Sequence, residues 1–225
     1  AGLAIAERMN AQVRGMNVAA RNANDGTSLA QTAEGALGKV GDSLQRMREL
    51  AIQARNSSNS DSDKDSLNKE FAQLQSEINR LLAGTTFNGK RILGADATTL
   101  TFQIGANTTT DDTIAVTTDN MVSNSDISVI TATTASIGAA ATAGSIKTVI
   151  DNIDTALDTV NNTRATFGAT QSRFDAVISN LQQAVENQAA ARSRIMDADF
   201  ASETANLSRA QILQQAGNAM VAQAN

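Results

Sequence analysis

Counting from Ile5 in alternating steps of four and three lands on Met9, Gln12, Met16, Ala19, Ala23, Gly26, Ala30, Ala33, Leu37, Val40, Leu44, Met47, Ala51 and Ala54. Only Gln12 and Gly26 interrupt the run. Small and apolar residues at this interval form one stripe of an α-helix that can zip against another helix. The pattern predicts a helix over about 3–56, and ~50 residues at about 1.5 Å each make a rod roughly 75 Å long. Asn24-Asp25-Gly26 is a turn signal, and Gly costs about 1 kcal/mol inside a helix. The stripe nevertheless keeps its phase across Gly26, so the predicted helix runs through. The chain contains no Pro, which agrees with long uninterrupted helices. One residue of the stretch LQRMRELAIQARNS, Leu44 to Ser57, stands off the stripe: Leu50, close to Arg46 and Arg48.

The polar run NSSNSDSDKD ends the first helix. A second is predicted over about 62–83, with acids in its first turn and a stripe of Leu67, Phe71, Leu74, Ile78 and Leu81. Gly84 stops it, Asn88-Gly89 signals a turn, and TLTFQIG followed by TIAV alternates as a hairpin over about 99–116. Residues 117–145 are rich in Thr and Ala without a firm period, and read as a small, variable or mobile insert. Helical periodicity returns through Ile146, Ile150, Ile153, Leu157, Val160, Arg164, Phe167, Gln171, Phe174, Ile178, Leu181, Val185, Gln188, Arg192 and Ile195. A core helix over 146–196 can therefore lie antiparallel to the first. Residues 197–225 continue as a helix poor in large side chains, marginal without a partner. The expected fold is mainly α: an elongated antiparallel bundle of three long helices, with a β-hairpin at one end and a small insert.

Composition narrows the chemistry. The chain has 225 residues and 41% apolar content, but only 3% aromatics, which suits a thin Ala/Leu-rich bundle better than a rounded core. Its lack of His and Cys removes the usual general base, the thiolate nucleophile and most ligands for zinc, copper or haem. We therefore expect no enzyme, no cofactor and no metal. A net charge of -5 gives no electrostatic reason to bind nucleic acid or an anionic membrane. No apolar run approaches the ~18 residues of a membrane span. The chain opens without Met inside a predicted helix, so we expect its true N-terminus to lie further upstream.

Several motifs come close to known chemistry. Gly84 to Arg91 nearly spells a phosphate-binding loop, but Arg91 stands where Ser or Thr should hold magnesium, and a helix precedes rather than follows. Asp61, Asp63 and Asp65 begin like a calcium loop, whose sixth and twelfth positions are here Ser66 and Ala72, so helix-start acids are preferred. Met9, Met16 and Met47 sit on the stripe and read as packing. Asp197, Asp199 and Glu203 could pair as catalytic carboxylates, but they read as a solvated face. Leu50 differs. Arg46 lies one turn before it, and Ser66, Glu70, Gln73, Glu77 and Arg80 form a polar flank on the second helix. An exposed Leu ringed by Arg and Glu has the composition of a protein-binding patch.

SLAQTAEGAL (28–37), LQRMRELAIQARNSSNS (44–60), TTFNGKRIL (85–93), FQIGAN (102–107), AARSRIMDADFASE (190–203) and SRAQILQQAGNAMVAQAN (208–225) closely resemble bacterial flagellin in sequence and order. The resemblance covers about residues 1–116 and 150–225. It implies a structural subunit of the flagellar filament, used for swimming and located outside the cell after export through the flagellar apparatus. The alternatives are a flagellin-like hook-filament junction protein and a non-flagellar coiled-coil adaptor. Implied partners are other flagellin subunits, the cap and junction proteins, an export chaperone on the C-terminal segment, and the vertebrate Toll-like receptor for flagellin. Family segments that pair in the filament's inner tube lie beyond this chain, so we expect it to be monomeric. In receptor-activating flagellins the interface positions match Arg46, Leu50 and Glu70, on a surface that also contacts neighbouring subunits. Were Leu50 exposed, its replacement by Ala would change folding by under about 0.5 kcal/mol.

Overall fold

The computed structural model describes residues 2–223, apart from the side chains at 198 and 199. Helix α1 spans Gly2–Ala54, α2 Asp61–Gly84, α3 Ser125–Thr131 and α4 Ala143–Gln223. Between α2 and α3 lie two antiparallel strand pairs, β1 (Thr86–Phe87) with β2 (Lys90–Arg91) and β3 (Thr99–Gln103) with β4 (Thr113–Thr117). No helix among the described residues is long and apolar enough to cross a membrane.

Helices α1 and α4 run antiparallel along their shared length. Gln12 meets Gln188, Glu34 meets Arg164 and Arg48 meets Asp154, so residue numbers rise on one helix as they fall on the other. These contacts account for Gln12 in the first stripe and for Arg164 and Gln188 in the second. Gln12 and Gln188 each break an apolar run, and they face one another: Gln188 Nε2 donates to Gln12 Oε1 at 2.8 Å. Arg164 donates from Nε and Nη2 to Glu34 Oε1, at 3.0 and 2.7 Å.

Gly26 is the other interruption of the first stripe; helix α1 runs through it, and a partner side chain occupies the space its own would fill. A Cβ at Gly26 would lie 2.7 Å from Phe174 Cε2 and 2.8 Å from Cε1. The ring of Phe174 therefore rests on bare α1 backbone. It also meets Phe102 of β3 edge-on, with centroids 5.5 Å apart and planes at 82°. Asn22 Nδ2 donates to Gln103 O at 2.9 Å, and a Cβ at Gly15 would lie 3.0 Å from Ala106 Cβ. The β3–β4 hairpin thus lies back along the flank of the two long helices. Its inward residues Ile104, Ile114 and Val116 are buried, while Thr99, Thr101 and Thr117 face out.

Helix α2 begins with a capping box: Ser60 Oγ accepts from Asp63 N, and Asp63 Oδ2 accepts from Ser60 N at 2.9 Å. The buried line of α2 is Phe71, Gln75, Ile78 and Leu82, whereas Leu67, Leu74 and Leu81 are half-buried. The insert contains α3, and Ile127, Ile130 and Ile137 are fully buried. α4 has no break at 196–197. What changes along it is burial: Phe174 is its last fully buried large residue, Ile178, Leu181 and Val185 are half-buried, and Phe200 is 76% exposed.

Candidate interaction surface

Leu50 is 1% exposed, so the expectation of an exposed anchor is corrected: it belongs to the core. The reason is that this part of α1 has two neighbours. At about 100° per residue, Leu50, Ala54, Met47, Ala51 and Leu44 fall in that order over roughly a third of the helix circumference. All five are buried. An arginine stands just outside each edge of that sector. Beyond the Leu50 edge, Arg46 Nε donates to Glu70 Oε1 of α2 at 2.8 Å. Beyond the Leu44 edge, Arg48 donates from Nε and Nη2 to the two carboxylate oxygens of Asp154 in α4, at 2.6 and 3.2 Å. A single stripe identifies the residues facing α4. The second helix widens the buried sector and takes Leu50 into it. The exposed large apolar residue of this stretch is Ile52, 50% exposed and nearly opposite Leu50.

Over Leu50 the surface is charged and already internally paired. Arg46 also donates from Nη1 to Glu49 Oε2 at 2.9 Å. The hydrogen bond to Glu70 and then that to Glu49 hold the Arg46 guanidinium more firmly protonated than usual. The side chains of Arg46 and Glu70 are 50% and 47% exposed. Farther along the flank, Arg80 binds both oxygens of Glu77, which lowers the Glu77 pKa below the ordinary carboxylate range. Ser66, Glu70, Gln73 and Arg80 are exposed, as the polar flank of α2 requires. The structure therefore brings Arg46 and Glu70 together at the surface, with Leu50 as a buried support. Such a face can bind through directed hydrogen bonds from the guanidinium and to the outward carboxylate oxygens.

The other motifs have structural explanations. Gly84 to Arg91 is the end of α2 followed by a β1–β2 turn, with Asn88 and Gly89 at φ 49° and 78°. Asp63 closes the capping box, while Asp65 Oδ1 accepts from Ala139 N. Met16 and Met47 are buried and Met9 is half-buried. Asp197 and Glu203 are exposed. The Asp199 side chain lies outside the described residues, as do Ala1, Ala224 and Asn225 of the terminal runs. Gln75 is the position missed by sequence reasoning. Its spacing from Phe71, Ile78 and Leu82 was the available signal.

The bacterial flagellin N-terminal helical region matches residues 1–98, and the bacterial flagellin C-terminal helical region matches residues 150–225. A flagellin from Halalkalibacterium halodurans is 44% identical over 225 residues, covering 100% of this chain and 80% of the relative. One from Xenorhabdus nematophila is 40% identical over 259 residues, covering 100% of this chain and 82% of the relative. Among solved structures, Bacillus cereus flagellin superposes with a TM-score of 0.60 at 32% identity, covering 72% of this chain and 88% of that one.

Proposed function

The chain belongs to the bacterial flagellin family, and on that premise we propose that it is a structural subunit of an extracellular flagellar filament that serves swimming. The observation that carries this reading is the distal part of α4. Phe200, Leu207, Ile212, Leu213, Met220 and Val221 are 58–76% exposed, and residues 201–223 are exposed at every position. Long helices gain most of their stability from packing an apolar face, so this segment is suited to association with like helices. The rod formed by α1, α2 and α4 supplies lateral surfaces, and the Arg46–Glu70 face is one of them.

The same face, with Leu50 beneath it, is the proposed contact for the vertebrate innate immune receptor for flagellin. The exposed C-terminal helix is the proposed seat of an export chaperone, and the cap and junction proteins are further proposed partners. Replacing Ile212 and Leu213 with Ser in the protein expressed by flagellated cells tests the filament role. The expected result is loss of pelletable filaments and of spreading in soft agar, with the thermal transition of the purified chain unchanged. Normal filaments from that variant would overturn the assignment.

A further inference from the structure

One side of α2 hydrogen-bonds the insert mostly through the insert's main chain. Gln75, 6% exposed, donates from Nε2 toward three carbonyls: Ile130 O at 2.7 Å, Ala135 O at 3.0 Å and Ala132 O at 3.1 Å. Two and three turns earlier on the same side of α2 the polarity reverses. Asn68 Oδ1 accepts from Ile137 N at 2.9 Å and from Ser136 Oγ at 3.1 Å, and Asp65 Oδ1 accepts from Ala139 N at 2.9 Å. Residues 130–139 thus descend along α2 as its numbering rises from 65 to 75. The approach is close at Gly138, where a Cβ would stand 3.0 Å from Asp65 Oδ1 and 3.4 Å from Asn68 Cβ.

Local physics makes the bonds at Gln75 important. Helix α3 has seven residues, too few to be stable alone. Its last carbonyls lack partners within the helix, and Gln75 donates to Ile130 O near its end and to the carbonyls of Ala132 and Ala135 beyond it. Packing of the same segment on α4 is incomplete. An open cleft of about 420 Å³ separates Val129, Thr134 and Ala140 from Ser145, Thr148 and Asn152. At the start of α3, Thr159 Oγ1 of α4 donates to Asp126 Oδ2 at 2.7 Å, whereas the side-chain hydrogen bonds to main chain at its far end come from α2.

We infer that Asp65, Asn68 and Gln75 form a latch that reads main chain, holding residues 125–141 as a lid that opens separately from the rod. The lid covers apolar surface through Ile127, Ile130 and Ile137. Between them, the exposed side chains of Thr133 and Thr134 can change freely as long as Gly138 and the buried Ala135 are kept. Opening requires loss of the α2 bonds without separation of α1 from α4, which makes it a local transition in the sense of native-state hydrogen exchange.

Hydrogen-exchange mass spectrometry on the whole chain tests this. Gln75→Met keeps the volume and removes the donors. It should raise amide exchange in residues 132–141 by on the order of ten-fold, leaving residues 40–54 of α1 as protected as before. Asn68→Ala should release residues 136–139 in the same way, while Thr133→Ala with Thr134→Ala should release nothing. The latch is overturned if Gln75→Met and Asn68→Ala leave residues 132–141 protected, if the Thr changes open them equally, or if α1 loses protection in parallel. None of these readouts involves filament formation or receptor binding, so they stand apart from the filament assignment.

Discussion

Gly26→Ala opposes helix propensity to packing, and the structure indicates which should dominate. In an unobstructed helix interior the change stabilises by about 1 kcal/mol. At this site the new methyl would stand 2.7–2.8 Å from two Phe174 ring carbons. Phe174 is fully buried and abuts the half-buried Phe102, so the ring can retreat only by disturbing a second packing contact. Overpacking costs about 1–3 kcal/mol, and the edge-on aromatic pair contributes about 0.5–1.5 kcal/mol that a shifted ring forfeits. Set against the propensity gain, these terms leave a net destabilisation of about 0.5–3.5 kcal/mol. For a chain of this size, 1 kcal/mol moves the thermal midpoint by about 2–4 °C, so circular dichroism should show a fall of roughly 1–14 °C. Gly35 provides the control on the same helix: a Cβ there meets nothing within 4 Å, and Gly35→Ala should raise the midpoint. Combining Gly26→Ala with Phe174→Leu should recover part of the loss, with a coupling of at least about 0.5 kcal/mol. A midpoint that rises for Gly26→Ala as it does for Gly35→Ala would refute the close-contact argument.

Two further perturbations separate core from surface. Leu50→Ala should cost about 2–5 kcal/mol in urea denaturation as a buried truncation, against less than about 0.5 kcal/mol for Ile52→Ala; equal effects would return Leu50 to the surface. Arg46→Ala should change stability by under about 1 kcal/mol while weakening receptor binding in a surface-plasmon assay. Acid acts through Asp63 and Asp112, whose pKa values are lowered first by the hydroxyls of Ser60 and Thr109, and also by backbone N–H groups. Because the folded values lie below the ordinary Asp value of about 3.9, their stabilisation is present above that pH and is lost as the pH falls through the folded values. Carboxyl NMR titration should place both midpoints below 3.9, and the midpoint of thermal unfolding should begin to fall near the ordinary Glu value of about 4.3, because the Glu77 pKa is lowered as well.

The existence of the long helices was legible in the sequence because a stripe repeated over many turns is a one-dimensional signal. Ile5 to Ala54 and Ile146 to Ile195 each carry it, and two such stripes on one chain predict a pair. The Asn88-Gly89 turn and the alternation in TLTFQIG were equally local. The polar flank Arg46, Glu70, Glu77 and Arg80 was found from one-turn spacings. The insert was harder to read, since α3 is held by groups 55–60 residues away in sequence, at Gln75.

Sequence alone determined the periodic elements and their antiparallel pairing, because both follow from residue type and spacing along one strand of chain. Tertiary structure decided the fate of individual positions whose surroundings come from elsewhere. Leu50 is buried because α2 is a second neighbour to α1, and Gly26 carries no side chain where Phe174 occupies the space. Gln75 is inside because its amide meets the main chain of a distant segment. Burial depends on how many elements converge on a side chain, and a stripe along one helix records only one of them.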